Sequence, residues 1–119
     1  DAGTVIDHDA VLGQIAGGVA QGIGEALGEI ALYDAAGQLL ASSFMDDPMP
    51  RVDDLPAIRV FDEGVPSPNN PLGAKGAGEA GTTGAIGAVS NAIADALASV
   101  GHSCPDMPFL PSDMWSLTS

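Results

Sequence analysis

The stretch GAKGAGEAGTTGAIGAV, Gly73 to Val89, sets Lys75 and Glu79 four positions apart among glycines, alanines and small polar residues. Lys75 is one of only three basic residues in the chain, so its placement is informative. Glycines let backbone N–H groups approach a ligand closely. A helix that starts after such a loop adds unpaired N–H donors and a partial positive charge. With Lys75 these features describe an anion-cradling loop beside a lone carboxylate. Small apolar walls around Glu79 would suit it to general-base work. The plainer reading is a flexible loop with a solvated lysine and glutamate, and spacing alone does not separate the two.

Gln14 and Gln21 form a second pair, seven positions apart, two turns along a helix and so near one face. Side-chain amides donate and accept, which suits a heterocycle or a phosphate. The glycines between them would permit the approach. A pair of solvent-facing glutamines is the plainer reading. His8 and His102 have no His or Cys partner at a metal-ligand spacing, and no metal ligands are expected. Cys104, the single cysteine, has no local base and reads as a small packed residue. GAKGAGEAG is not a phosphate-binding P-loop, since no Lys-Ser/Thr pair follows. GQIAGGVAQG is not a dinucleotide fingerprint, since the strand–GxGxxG–helix order is missing.

These residues need elements to hold them. DAGTVI, Asp1 to Ile6, reads as a short strand. From Val11, the residues Leu12, Ile15, Val19, Ile23, Leu27 and Ile30 recur at helical steps, with Asp7 or Asp9 as the cap. Gly17, Gly18, Gly22, Gly24 and Gly28 each cost such a helix ~1 kcal/mol against alanine. It must therefore gain from close packing against backbone or ligand, or be interrupted. IALYDAAGQLLASSF reads as a hairpin turning at Asp34 to Gly37. Met45 to Pro56 is a proline-punctuated loop, and AIRVFDEG is a further strand with Ile58, Val60 and Asp62 on one face. A second helix begins near Thr83, carries Ile86, Val89, Ile93, Leu97 and Val100 on one stripe, and stops at Gly101. PSDMW opens a last short turn with Ser112 as cap. The expected fold class is α+β: two glycine-rich helices packed with a small antiparallel sheet.

The chain has 119 residues and a formal charge of −13, which disfavours nucleic-acid and anionic-membrane partners. No apolar run is long enough to span a membrane. A single cysteine fits a reducing, cytoplasmic compartment. The apolar residues are mostly alanine, so little area is buried per residue. With no methionine at its start, the chain reads as one unit, residues 1–119, of something larger.

The ordered motifs GQIAGGVAQGIGEAL and NPLGAKGAGEAG together resemble the C-terminal end of the molybdenum-binding large subunit of the xanthine oxidase family. The similarity is greatest to the bacterial branch of aerobic carbon monoxide dehydrogenase-like large subunits. It covers almost the whole chain. It implies that residues 1–119 are the C-terminal portion of a molybdopterin-binding domain. It also implies that Glu79 is the catalytic base of a water-dependent oxidation of carbon monoxide, an aldehyde or an N-heterocycle. Gln14 and, more weakly, Gln21 would contact a Mo-molybdopterin cytosine dinucleotide. Lys75, Gly76, Ala77 and Gly78 would run beside its metal centre. Partners would be the remainder of the large subunit, an iron–sulfur subunit with 2Fe-2S clusters and a flavin subunit with FAD. Asp7, His8 and Asp9 replace the family's Asn-Pro turn, and Ala16 stands where His is usual. The alternative is a non-catalytic module that keeps the fold and stabilises a partner.

Overall fold

The computed structural model describes residues 1–61 and 63–119. Helix α1 (His8–Leu27) is opened by Asp7, whose backbone is extended and whose Oδ1 accepts the Ala10 N–H at 3.0 Å. Asp7 is thus the cap. Asp9 lies in the first turn, where its charge complements the helix dipole. Helix α2 (Ala80–Ser99) ends in a Schellman arrangement. Gly101 has φ +86° and donates to Ala98 O at 3.1 Å, and His102 donates to Leu97 O at 2.9 Å. Helix α3 (Pro111–Thr118) starts with proline at its first position and Leu110 as N-cap. Ser112 is not the cap; its hydroxyl lies 3.4 Å from Asp113 Oδ1. One 3₁₀ turn, Val52–Asp54, interrupts the long connection between α1 and α2.

The glycines of α1 are spent on a close crossing with α2. A Cβ on Gly18 would lie 2.9 Å from Thr82 N, and one on Gly22 would lie 2.7 Å from Thr82 O and 2.8 Å from Ala85 Cβ. From the other side, a Cβ on Gly81 would lie 2.8 Å from Val19 N. Side chains larger than hydrogen at these points would force the backbones apart. Gly24 and Gly28 admit Pro50 and Pro48 of the following loop. Few apolar residues are buried: the alanines Ala2, Ala26 and Ala85, with Leu97 and Phe109, are below a tenth exposed. Phe109 is held on α1 by its N–H, which donates to Ala26 O at 2.8 Å.

The expected sheet does not form among the described residues. Two isolated antiparallel bridges stand in its place, Gly3 with Ala74 and Tyr33 with Leu39. The turn at Asp34 is as read: Asp34 Oδ1 accepts from Ala36 N at 2.8 Å and Gln38 N at 2.9 Å, and Gly37 has φ +81°. The flanking segments do not extend into a ladder, because a lone two-stranded ribbon needs a third strand or a packing face to persist. Leu32, Tyr33 and Leu40 are exposed, so neither is present. AIRVFDEG forms no strand over its described residues, and Phe61 is exposed. The placing of Asp62 on that strand lies outside the described residues.

Candidate active site

Glu79 is the N-cap residue of α2. The helix begins three residues before the expected Thr83 because its apolar stripe gains a further contact at Gly81, which sits against Ile15 and Val19 of α1. The Glu79 backbone carbonyl accepts the Thr83 N–H at 3.1 Å, while its side chain makes no capping hydrogen bond. The carboxylate is therefore exposed and uncommitted. It lines an open groove of about 690 Å³ with Gly76, Gly78, Ala80, Thr83 and Gly84. A Cβ on Gly76 or Gly84 would meet nothing within 4 Å, so this wall is as low as a polypeptide permits. The apolar enclosure anticipated around Glu79 is not supplied by the described residues.

Gln14 reaches the rim of the same groove. A Cβ on Gly78 would lie 3.9 Å from Gln14 Oε1. Gln21 shares the exposed face of α1 with Gln14 and Gly17, but its Nε2 donates to Glu25 Oε1 at 3.0 Å, one turn further from the loop. Ala77 is half-buried, and its carbonyl accepts Ala80 N–H at 3.4 Å. The Lys75 ammonium is paired with Asp1 Oδ2 and does not stand free in the groove. Positive potential there comes from the start of α2, whose amides have no side-chain cap.

The sequence reading missed the residues that brace this loop. Asp1 Oδ1 accepts from Gly3 N at 2.9 Å and Val65 N at 3.0 Å. Asn70 clasps Ala74 both ways, Nδ2 donating to its carbonyl at 2.9 Å and Oδ1 accepting its N–H at 3.2 Å. Gly73, at φ +69°, presents its carbonyl to Thr4 N and Ser67 N, each at 2.9 Å. The NNPLG run carried a signal for Asn70, because asparagine before a proline-glycine turn bonds its own backbone. No local signal marked Asp1.

Two other hollows are less suited to chemistry. The larger, about 750 Å³, lies between the end of α1 and the Phe44–Leu55 loop and is walled by Ile23, Leu27, Pro48, Met49 and Pro50. Those are packing surfaces. The other holds Glu25, Glu29 and Asp47. Glu29 is pushed above the ordinary carboxylate range, first by desolvation and then by the charges of Asp47 and Glu25. Among the described residues no three His, Cys, Asp or Glu side chains gather as metal ligands. No helix there is long and apolar enough to cross a membrane.

The family described as molybdopterin cofactor-binding domain matches residues 1–56. The gamma subunit of the 6-hydroxypseudooxynicotine dehydrogenase complex of Paenarthrobacter nicotinovorans is 42% identical over 117 residues, which is 98% of this chain and 15% of the relative. The carbon monoxide dehydrogenase large chain of Hydrogenophaga pseudoflava is 36% identical over 97% of this chain and 14% of its own length. The chain belongs to the xanthine oxidase family. Its fold agrees with that family's solved structures: quinoline 2-oxidoreductase from Pseudomonas putida 86 superposes with a TM-score of 0.92 at 40% identity, over 99% of this chain and 15% of that one. The chain thus spans about one seventh of the length of its xanthine oxidase family relatives. The matched cofactor-binding region holds Gln14 and Gln21, whereas Glu79 lies beyond it.

Proposed function

We propose that residues 1–119 are the C-terminal portion of a molybdopterin-binding domain and carry the general base of a molybdenum-dependent oxidoreductase. The observation that carries this reading is the uncapped Glu79 carboxylate at the mouth of a glycine-walled groove, with the Gln14 amide at its rim. The groove fits a bulky anionic cofactor on one side only. Gly76 and Gly84 leave room, the start of α2 offers amide donors, and Gln14 offers a neutral donor and acceptor. Gly76, Ala77 and Gly78 would run beside the metal centre, and Gln14 would hold the pterin, with Gln21 in a lesser role.

Bound there, a Mo-molybdopterin cytosine dinucleotide would supply two-electron oxidation chemistry. Oxidation of a small molecule with oxygen from water releases two protons and two electrons. Glu79 takes a proton from the water-derived nucleophile as it attacks the electron-poor carbon. 2Fe-2S clusters and FAD on partner subunits would serve as the acceptors of those two electrons. The remainder of the large subunit closes the groove, excludes bulk water from Glu79 and selects carbon monoxide, an aldehyde or an N-heterocycle. The relatives' names, for carbon monoxide, 6-hydroxypseudooxynicotine and quinoline, support the carbon monoxide and N-heterocycle ends of that range. A cytoplasmic assembly is part of the same reading.

The test is Glu79→Gln in the complete enzyme. Glutamine keeps the volume and cannot accept the proton. The rate per bound molybdenum should fall by ~10²–10⁴ or more, with molybdenum content close to that of the unaltered enzyme. A near-normal rate per molybdenum would remove Glu79 from the role of base.

A further inference from the structure

Asp1 and Lys75 are separated by almost two thirds of the chain, yet their side chains meet. The Asp1 carboxylate joins three segments. Oδ1 takes the N–H groups of Gly3 and Val65, and Oδ2 takes the Lys75 ammonium. Backbone bonds run alongside: Lys75 N–H donates to Ala2 O at 3.0 Å, and Thr4 N–H donates to Gly73 O at 2.9 Å. Beyond Lys75 the bonds to other segments stop, and the Ala80 N–H to Ala77 O bond at 3.4 Å lies within the span itself. Gly76 and Gly78 are exposed, and a Cβ on Gly76 would meet nothing within 4 Å. The next firm anchor is Gly81, wedged against α1. Glu79 therefore hangs in a short, glycine-rich span between two fixed points, the Asp1–Lys75 pair and the α1–α2 crossing.

We propose that Asp1 and Lys75 act as one positioning latch, which sets the height of the Gly76–Gly78 span and so the place of the Glu79 carboxylate over the groove. Lys75 on this view is a positioning residue and not an anion ligand, because its charge is already answered by Asp1. The inference rests on the reading of Glu79 as base. Each half of the pair is only partly exposed, 34% for Lys75 and 42% for Asp1. The pair's value lies in geometry, since a half-exposed ion pair contributes little to stability.

The experiment is a double-mutant cycle in the complete enzyme, with Asp1→Asn, Lys75→Met and both together, each measured as rate per bound molybdenum and KM. Amide hydrogen exchange at Gly3, Val65 and Lys75 is measured on the same samples. Each single variant should lose about tenfold in kcat with KM little changed, short of the ~10²-fold loss that ångström-scale misplacement can cause. The double variant should be no slower than the slower single. Both singles should loosen the same three amides, and Asp1→Glu should recover part of the rate. In a Glu79→Gln background, neither latch variant should slow the residual rate further. Multiplying losses in the double variant would overturn the latch and assign Lys75 a ligand of its own. Unchanged rates in the singles would overturn it too. If Glu79→Gln alone keeps the normal rate, the base reading falls. The latch is then judged on exchange: loosening of the same amides by both variants upholds it as a loop restraint, and loosening by one alone ends it.

Discussion

A carboxylate at a helix N-cap normally turns back to take the amides of the first turn. Glu79 does not do so. Its side chain is longer than that of the usual capping residues, and it reaches outward over the groove. The Ala80 N–H goes to Ala77 O at 3.4 Å, and no side chain caps the first turn, so the positive end of the helix dipole is unanswered by a side chain, the electrostatic setting an anionic ligand favours. Gln14→Ala should therefore lower molybdenum occupancy of the complete enzyme before it alters the rate per bound molybdenum; elemental analysis beside turnover separates the two. Glu29 makes a different residue-scale prediction. Burial and the neighbouring Asp47 and Glu25 raise its carboxyl above the ordinary value of 4.5. The folded chain then holds a proton that the unfolded chain gives up, so stability falls as pH rises from the ordinary value through the raised one. Glu29→Gln should stabilise the chain at neutral pH, and the gain should vanish below the ordinary value. Urea midpoints at acid and neutral pH measure this, and an equal gain at both would contradict it.

At the scale of elements, the α1–α2 crossing is the joint on which the site depends. Gly18 and Gly22 face Gly81 and Ala85 with no room for added atoms. Gly81→Ala should part the helices and destabilise the chain by about 1–3 kcal/mol, the usual cost of overpacking. It should also move Glu79, two residues away. Gly87→Ala is the control on the same helix. Its Cβ meets nothing within 4 Å, so it should gain up to ~1 kcal/mol of helix propensity. Helical circular dichroism of the two variants under urea should shift in opposite directions. Equal shifts would mean that the crossing carries no strain. Gly101 closes α2 at φ +86°, a conformation that costs alanine ~1–2 kcal/mol, which makes it a second sensitive glycine far from the groove.

At the scale of the molecule, the shape is that of a part. The chain measures 53 × 38 × 28 Å with a Cα radius of gyration of 17.8 Å, against about 13.5 Å for a compact domain of this length. Phe44, Met45, Val52, Phe61 and Trp115 are each more than 70% exposed, and no large side chain is fully buried among the described residues. The isolated chain should melt broadly at low temperature and bind a hydrophobic dye, and the rest of the large subunit should stabilise it by mass action. A sharp, high-temperature melt of the monomer would contradict this. The sequence by itself determined the two long helices and the loop that bears Glu79, because apolar periodicity acts over one or two turns; that the glycines of α1 meet α2 was decided by the tertiary structure. The absence of a sheet was decided only in three dimensions, since DAGTVI and AIRVFDEG could form strands only if distant segments paired with them. The same is true of the start of α2 at Ala80, which follows from Gly81 meeting α1. Lys75 looks like a free charge in its local sequence because its partner, Asp1, lies at the other end of a loop closure. No local pattern encodes that closure; it exists only once the chain has folded back on itself.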